Sequence, residues 1–382
     1  MLLLIPGPVS TRPEVRAAMM CDFAPWDANF RPLYAGVRER VGILAGVVAG
    51  IHAVLPLQGC GHFAIEAAVR SVMPASGKLL IPMTGSYAQR MARLARECGR
   101  TVVELPTSDV IPIDAADISR ALAADETLTH VGLVYSETSS GVVHNAAAIG
   151  AVIRAHGRRI ILDAVSAFGA LPLDVSAQPE IDAAVFTANK CLEGVPGLSF
   201  VVARTDALRQ NRGSAGSWSF DLWDIHQHAM RGGWGSFRFT PPAHVLAALR
   251  IALQLHDAEG GQPARLARYR ANANILYDGI LAVGLKPHLA REVQGPIVLN
   301  VHAPDDPKWS LQRFVDALKR RGFVISNFYN TTQPSFRVGC IGCITPDDMG
   351  RFVTSVGSAL RELRVRSREP STAAPEGLHS SR

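Results

Sequence analysis

The sequence predicts an α/β fold: a mainly parallel sheet with helices on both faces, plus a smaller α+β part toward the C-terminus. Three observations carry this expectation. Short apolar runs alternate with helical segments between residues 52 and 203. Apolar residues make up 48% of the 382 positions and charged residues only 19%, which supports a large core and argues against disorder. Polar or glycine-containing turns stand where most of the apolar runs end, as expected where parallel strands give way to helices.

Taken in order, residues 15–50 read as helix, closing with LYAGVRERVGILAGVVAG. HAVLPLQ is a strand, and GCGHFAIEAAVRSVM is a glycine turn entering a helix. KLLIPM is a strand followed by the helix SYAQRMARLARECG, which Gly99 closes. TVVELP, HVGLVYSE and RIILDA are further strands. Between them lie the helices DAADISRALAADE, with Asp114 as N-cap, and AAAIGAVIRAHG. AAVFTANK and LSFVVA are two more apolar runs joined by the loop CLEGVPG. Residues 211–240 are rich in Gly, Ser, Trp and His, carry little periodicity and read as a long functional loop. The helices AHVLAALRIALQLHDAEG and RLARYRANANILYDGILAVG follow. Beyond them IVLNVHA, SLQRFVDALKRRG, FVISN, FRVGCIG and DDMGRFVTSVGSALREL alternate strand and helix. This pattern divides the chain into a large domain over 15–265, a small one formed by 1–14 and 266–365, and a disordered tail over 366–382.

Composition excludes several functions. A net charge of +6 without a lysine-rich arm or basic stripe argues against nucleic-acid binding. No apolar run approaches the roughly 20 residues that span a bilayer, and MLLLIPGPVS is too short for a signal peptide. The six cysteines are scattered, as expected for reduced thiols in a cytoplasmic protein. The lone CxxC of Cys340 and Cys343 sits among small and apolar residues and reads as packing. His226 and His228 lack a nearby acidic partner, so no metal site is expected. Trp234 and Arg238 in the same segment are weak candidates for a site.

The chemistry centres on Lys190, which ends AAVFTANK, and Asp163, which ends the preceding strand. An amine and an acid at neighbouring strand exits form the pair that pyridoxal phosphate requires: the lysine holds the aldehyde, and the acid keeps the pyridine nitrogen protonated. Gly59 and Gly61, just before a helix, offer backbone amides and a helix N-terminus to an anion. Tyr87 at the next strand exit could stack on a cofactor ring. The hydroxyls of Thr138 and Ser139 beside Glu137 could reach a ring oxygen. Arg337 on a late strand is suited to clamp a carboxylate or phosphonate.

PGPVSTRPEV, LQGCGHFAIEA, TGSYAQRM, SETSSGV, ILDAVSAFGALPLD, ANKCLEGVPGLSFVVA, FRFTPPAH and FRVGCIG occur in this order. The series resembles the class-V branch of the fold-type-I pyridoxal-phosphate aminotransferases over nearly the whole chain except the tail. Asn189 stands where alanine–glyoxylate aminotransferases of that branch usually carry Gln. The resemblance implies that Lys190 is the Schiff-base lysine and proton carrier and that Asp163 pairs with the pyridine nitrogen. It further implies that Tyr87 stacks on the ring, that Gly61, His62 and Phe63 line the phosphate turn, and that Thr138 reaches the ring hydroxyl. Asn189 joins this cofactor set. Thr240 is expected to reach the phosphate of a neighbouring subunit, making the active unit a homodimer. Arg337 and Trp26 are expected to hold the substrate, with one site accepting a phosphonate and a carboxylate in turn. The branch often carries Ser in the phosphate turn where this chain has Cys60 or His62, so a hydroxyl contact is expected to be lost. A desulfurase would need a catalytic cysteine in a mobile loop, and a non-catalytic binding protein would not need the Lys190–Asp163 pair.

Overall fold

Alternate residues of the buried strands face opposite ways, and each set finds its own layer of helices. In a computed structural model describing residues 1–232, 236–329, 331 and 333–371, the chain begins with β1 (Leu2–Leu3), α1 (Pro13–Ala17) and α2 (Phe30–Ala45). Next come β2 (His52–Gln58), α3 (Gly61–Val72), β3 (Lys78–Pro82), α4 (Ser86–Glu97) and β4 (Thr101–Leu105). The series continues with α5 (Ala115–Ala124), β5 (His130–Val134), α6 (Ala146–Ala155), β6 (Arg159–Asp163), β7 (Ile181–Thr187) and β8 (Leu198–Arg204). Four helices follow: α7 (Thr205–Gln210), α8 (Leu222–Arg231), α9 (Ala243–Glu259) and α10 (Gly261–Ala282). The last elements are β9 (Val298–His302), α11 (Leu311–Arg320), β10 (Phe323–Val324), β11 (Ser335–Gly339) and α12 (Pro346–Glu362).

The principal sheet has the order β2-β8-β7-β6-β5-β3-β4. Pairings from β7 through β6, β5 and β3 to β4 are parallel, while β8 runs antiparallel to both β7 and β2. The expected mainly parallel α/β architecture is therefore borne out. Ile160, Leu162, Ala184 and Phe186 face a core shared with α2, α5, α6 and α9. Ile161, Ala183 and Val185 face a second core shared with α3, α4, α7 and α8. A third core packs β9 and β11, an antiparallel pair, against α10, α11 and α12, with Phe314, Phe336 and Phe352 at its centre. The short β1 adds to β10.

Three elements differ from expectation. The helix predicted over 15–50 is broken between residues 21 and 29: α1 runs into a 3-10 turn at Ala18–Met20, and α2 begins only at Phe30. The segment around Pro25 follows the break, since proline removes a donor and biases its predecessor to extended backbone. The segment 211–240, expected as a loop, contains α8. Asp221 accepts from the amides of Trp223 and Asp224, and Leu222, Ile225 and Ala229 form its buried face. The tail expected to be disordered from 366 is ordered over 366–371. Its first amides, Arg366 and Ser367, donate to Asp306, Pro370 bridges to Pro304, and Ser371 N–H donates to the Ala303 carbonyl. The Asp306 carboxylate and these backbone partners hold the polar segment. The rest of that expectation, 372–382, lies outside the described residues, as does Trp234.

Phe186 is fully buried in the middle of the sheet, stacked between Phe168 at 3.6 Å and Phe200 at 5.5 Å. Phe186→Ala is expected to cost about 3–5 kcal/mol of stability, because the flanking rings and strands cannot collapse into the void. Urea unfolding of the variant checks this; a loss below about 1 kcal/mol would mean the sheet repacks far more freely than its density implies.

Candidate active site

The parallel strands deliver their last residues to one edge of the sheet, where open α/β folds place ligand sites. Asp163 is the final residue of β6, paired in register with Val185 of β7. Lys190 follows three residues after β7 ends. The two line one cavity of about 200 Å³ together with Gly7, Cys60, Gly61, His62, Tyr87, Arg90 and Asn189. Lys190 is 8% exposed and Asp163 7%.

Each wall has a local cause. Gly61 starts α3, and a Cβ there would lie 2.6 Å from Val165, so only glycine lets the helix N-terminus reach the turn that follows Asp163. The Cys60 N-cap makes no side-chain cap bond, and with Phe63 N–H donating to the Cys60 carbonyl at 3.1 Å, the amides of Gly61 and His62 are left to donate to an anion. On the opposite side the N-terminal segment crosses the lysine: a Cβ on Gly7 would sit 2.7 Å from Lys190 Cδ. Lys190 Nζ lies 3.4 Å from Ser166 Oγ, and Ser166 Oγ is 2.6 Å from Thr138 Oγ1. Asn189 accepts from the Thr187 hydroxyl at 2.7 Å.

The exits of β3 and β5 are joined by one carboxylate. Glu137 Oε1 accepts from the Ser139 amide at 3.0 Å, the Ser139 hydroxyl at 2.5 Å and the Tyr87 amide at 3.4 Å. Burial raises its carboxyl above the ordinary value, and these hydrogen bonds oppose the rise. Arg337 and Asn300 occupy facing positions of β11 and β9 and grip the same loop. Arg337 Nη1 donates to the Thr138 carbonyl at 3.1 Å, and Asn300 Nδ2 donates to the carbonyls of Ser139 and Ser140. Arg337 Nε and Glu137 Oε2 are buried without partners. Burial lowers the Arg337 guanidinium, with the Tyr87 phenol working in the other direction.

The structure thus brings together Lys190, Asp163, Asn189, Gly61, His62 and Tyr87 around one cavity, with Thr138 joined to it through Ser166. Arg337 is set back from the cavity wall, with its guanidinium 5.0 Å from the Phe328 ring. Phe63 turns its ring toward Gly59 and Phe220 and can offer the cavity only its backbone. Trp26, 76% exposed, and the exposed Thr240 do not line the cavity within this chain. Sequence reasoning missed Ser166, Gly7, Arg90 and Asn300. Ser166 stands three residues after Asp163, a spacing that could have flagged it; Gly7 and Asn300 carried no local signal. No group of three metal-ligating side chains occurs among the described residues, and the six cysteines are free thiols.

Residues 27–306 match the family described as aminotransferase class-V. This chain belongs to that family. It is 43% identical to a 2-aminoethylphosphonate–pyruvate transaminase of Pseudomonas putida over 95% of this chain and 98% of that protein. The likeness to the Pseudomonas aeruginosa protein of the same name is 42%, over 95% and 97%. Among solved structures, pyridoxamine–pyruvate aminotransferase from Mesorhizobium loti superposes with a TM-score of 0.86 at 25% identity, covering 96% of this chain and 93% of that one. Ureidoglycine–glyoxylate aminotransferase from Bacillus subtilis also gives 0.86, at 24% identity over 96% and 94%, a likeness of fold. The class-V chain is thus a transaminase, and dependence on pyridoxal phosphate is a general property of its family. No helix among the described residues is long and apolar enough to cross a membrane.

The residues present fit that cofactor. A buried carboxylate and a buried amine share a cavity with an uncapped helix N-terminus, and the donor set contains no competing metal site. Burial lifts the Asp163 carboxyl from its ordinary 3.8 to about 6, with the Val165 amide and Lys190 opposing the rise and Glu137 adding to it. A raised folded-state pKa means that the folded chain holds this proton more tightly than the unfolded chain. The resulting stabilisation is complete below about 3.8 and is lost as pH rises through about 6. In cofactor-free protein, Asp163→Asn is therefore expected to gain on the order of 3 kcal/mol over wild type between about pH 4 and pH 7. Urea unfolding across that range checks it; a difference independent of pH would remove the burial argument.

Proposed function

We propose that this protein moves the amino group of 2-aminoethylphosphonate to pyruvate, giving phosphonoacetaldehyde and alanine, in phosphonate breakdown. The observation that carries the reading is the meeting of Lys190 and Asp163 in one cavity at the N-terminus of α3. The substrate class comes from relatives of that name, 43% identical over nearly the full chain.

Bound pyridoxal phosphate supplies an aldehyde for amines and a ring that takes up the negative charge left when a neighbouring carbon loses its proton. The chain's residues do the rest. Lys190 Nζ would hold the aldehyde and, once released, would move a proton from the carbon on one side of the substrate nitrogen to the carbon on its other side. Asp163 pairs with the ring nitrogen and keeps it protonated, a task that suits a carboxylate shielded from water. The turn of Gly61, His62 and Phe63 would hold the phosphate, with Cys60 or His62 standing where the branch often carries a serine hydroxyl. Tyr87 covers one ring face. Thr138 and Asn189 orient the ring, with Ser166 between Thr138 and the lysine.

Arg337 holds the acid group of each substrate in turn. A phosphonate and a carboxylate both present paired oxygens to a guanidinium, and the unpartnered Nε leaves Arg337 with hydrogen-bonding capacity in reserve. The exposure of Trp26 and Thr240 suits roles in a homodimer, with Thr240 reaching the neighbouring subunit's phosphate and Trp26 its substrate. The reading includes a large cofactor-binding domain over 15–265, a small domain over 1–14 and 266–365, and a cytoplasmic location in keeping with six free thiols.

Purified protein given the cofactor, 2-aminoethylphosphonate and pyruvate is expected to form alanine. Turnover of alanine with glyoxylate in its place would move the assignment to that branch of the family. Lys190→Ala is expected to lose both the visible absorbance of the lysine-bound cofactor and turnover; retained turnover would remove the central assignment. Arg337→Ala is expected to weaken substrate binding by about 1.5–3 kcal/mol, the range of a hydrogen bond to a charged group. An unchanged KM for both substrates would assign the clamp to another cation, with Arg90 in the cavity wall as the alternative.

A further inference from the structure

Behind the cavity, one face of α10 holds two loops at a fixed separation. The first loop follows Lys190. Glu193 N–H donates to the Lys190 carbonyl at 2.9 Å, and Glu193 takes a left-handed backbone conformation at φ 57°. A non-glycine residue holds that conformation only where its surroundings enforce it. Glu193 is 5% exposed, and its Oε1 accepts from Arg268 Nη2 and Tyr269 Oη, each at 2.7 Å. Arg265, also paired with Glu193 at 3.5 Å, donates to the carbonyl of Cys191, the residue next to Lys190.

The second loop, residues 340–344, follows the strand that carries Arg337. Arg268 Nη1 donates to the carbonyls of Gly342 and Ile344, and the Gly342 amide donates to Tyr269 Oη. Asn272 donates to the carbonyls of Cys340 and Ile344. Arg265, Arg268, Tyr269 and Asn272 form one stripe of α10 at helical spacing. Glu259 bonds both arginines from the far side, so two carboxylates balance two guanidinium groups. Glu193 is the point where the lysine loop enters this cluster, and it does not line the cavity.

We propose that Glu193 is a positioning residue: through Arg268 and Tyr269 it sets where Lys190 stands relative to Asp163 and to the strand bearing Arg337. The proposal rests on the reading of Lys190 as the aldehyde-bearing lysine. Without the carboxylate, the left-handed turn loses its anchor and two buried guanidinium groups lose a counter-charge. Lys190 then meets its proton-transfer position less often, while Arg337 keeps its own bond to the Thr138 carbonyl, which does not run through Glu193. The effect belongs in kcat rather than in KM.

The test compares cofactor-loaded wild type, Glu193→Ala and Glu193→Gln, with Phe352→Leu in the core behind β9 and β11 as a control for stability alone. Three quantities are measured: the pH midpoint of the visible band, kcat and KM with 2-aminoethylphosphonate and pyruvate, and the melting temperature. Glu193→Ala is expected to lower kcat about a hundredfold, the scale of an ångström-sized misplacement, with KM nearly unchanged and the band's pH midpoint displaced. Glu193→Gln keeps an acceptor for Tyr269 and is expected to recover part of both. Phe352→Leu is expected to melt earlier with wild-type midpoint and kcat. Should Glu193→Ala fail to fold, Glu193→Gln decides alone: a wild-type midpoint and kcat overturn the proposal, and a displaced midpoint with reduced kcat supports it. A coloured wild type whose Glu193 variants differ only in melting temperature removes this proposal and leaves the lysine assignment intact. A wild type that takes up no colour removes both.

Discussion

An acid at the end of β6 and an amine just past β7 are kept from water in the same small space, and much of the architecture serves that placement. Burial disfavours the charged form of the acid, whose carboxyl it raises from its ordinary value. The sheet makes the arrangement possible because parallel neighbours end at the same edge, so residues that close consecutive strands become neighbours without further design. Packing around Asp163 then removes the alternatives. Gly61 lets a helix N-terminus press against the following turn, and the N-terminal segment at Gly7 closes over the lysine stem.

The two layers of the site are built differently. Backbone amides and strand ends supply the floor, held by ladder hydrogen bonds and apolar packing on both sides of the sheet. Arg337, set back from the cavity, sits on a separate antiparallel pair that is joined to the floor by polar contacts: Arg337 and Asn300 onto residues 138–140, and the α10 stripe onto residues 191–193. Apolar packing tolerates small slips, but a hydrogen bond to a buried carbonyl fixes distance and direction together.

Much of this was legible in the sequence because it is local. Strand periodicity, the glycine turn at 59–61 and the Asp163–Lys190 spacing all lie within short windows, and the structure brings those residues to one edge. What escaped has physical reasons. The helix over 222–231 is short and rests on the Asp221 cap, a side-chain contact that composition does not display. The break before α2 turned on how a proline-containing stretch would fold, and the residues at 366–371 are held by partners sixty or more positions away. Gly7 and Asn300 belong to the site through tertiary contact alone. Glu193 carries no local signal within CLEGVPG, because its partners come from α10.

The separation of Gly7, Thr138, Lys190 and Arg337 along the chain has a consequence for biosynthesis. Gly7 reaches the cavity on a segment that β11 holds, with Gly339 N–H donating to the Leu4 carbonyl at 2.9 Å, so the pocket has its full shape only after nearly the whole polypeptide has left the ribosome. Completion of the cup is thereby a late event in maturation, and a nascent chain with its central strands already folded still presents an unfinished one.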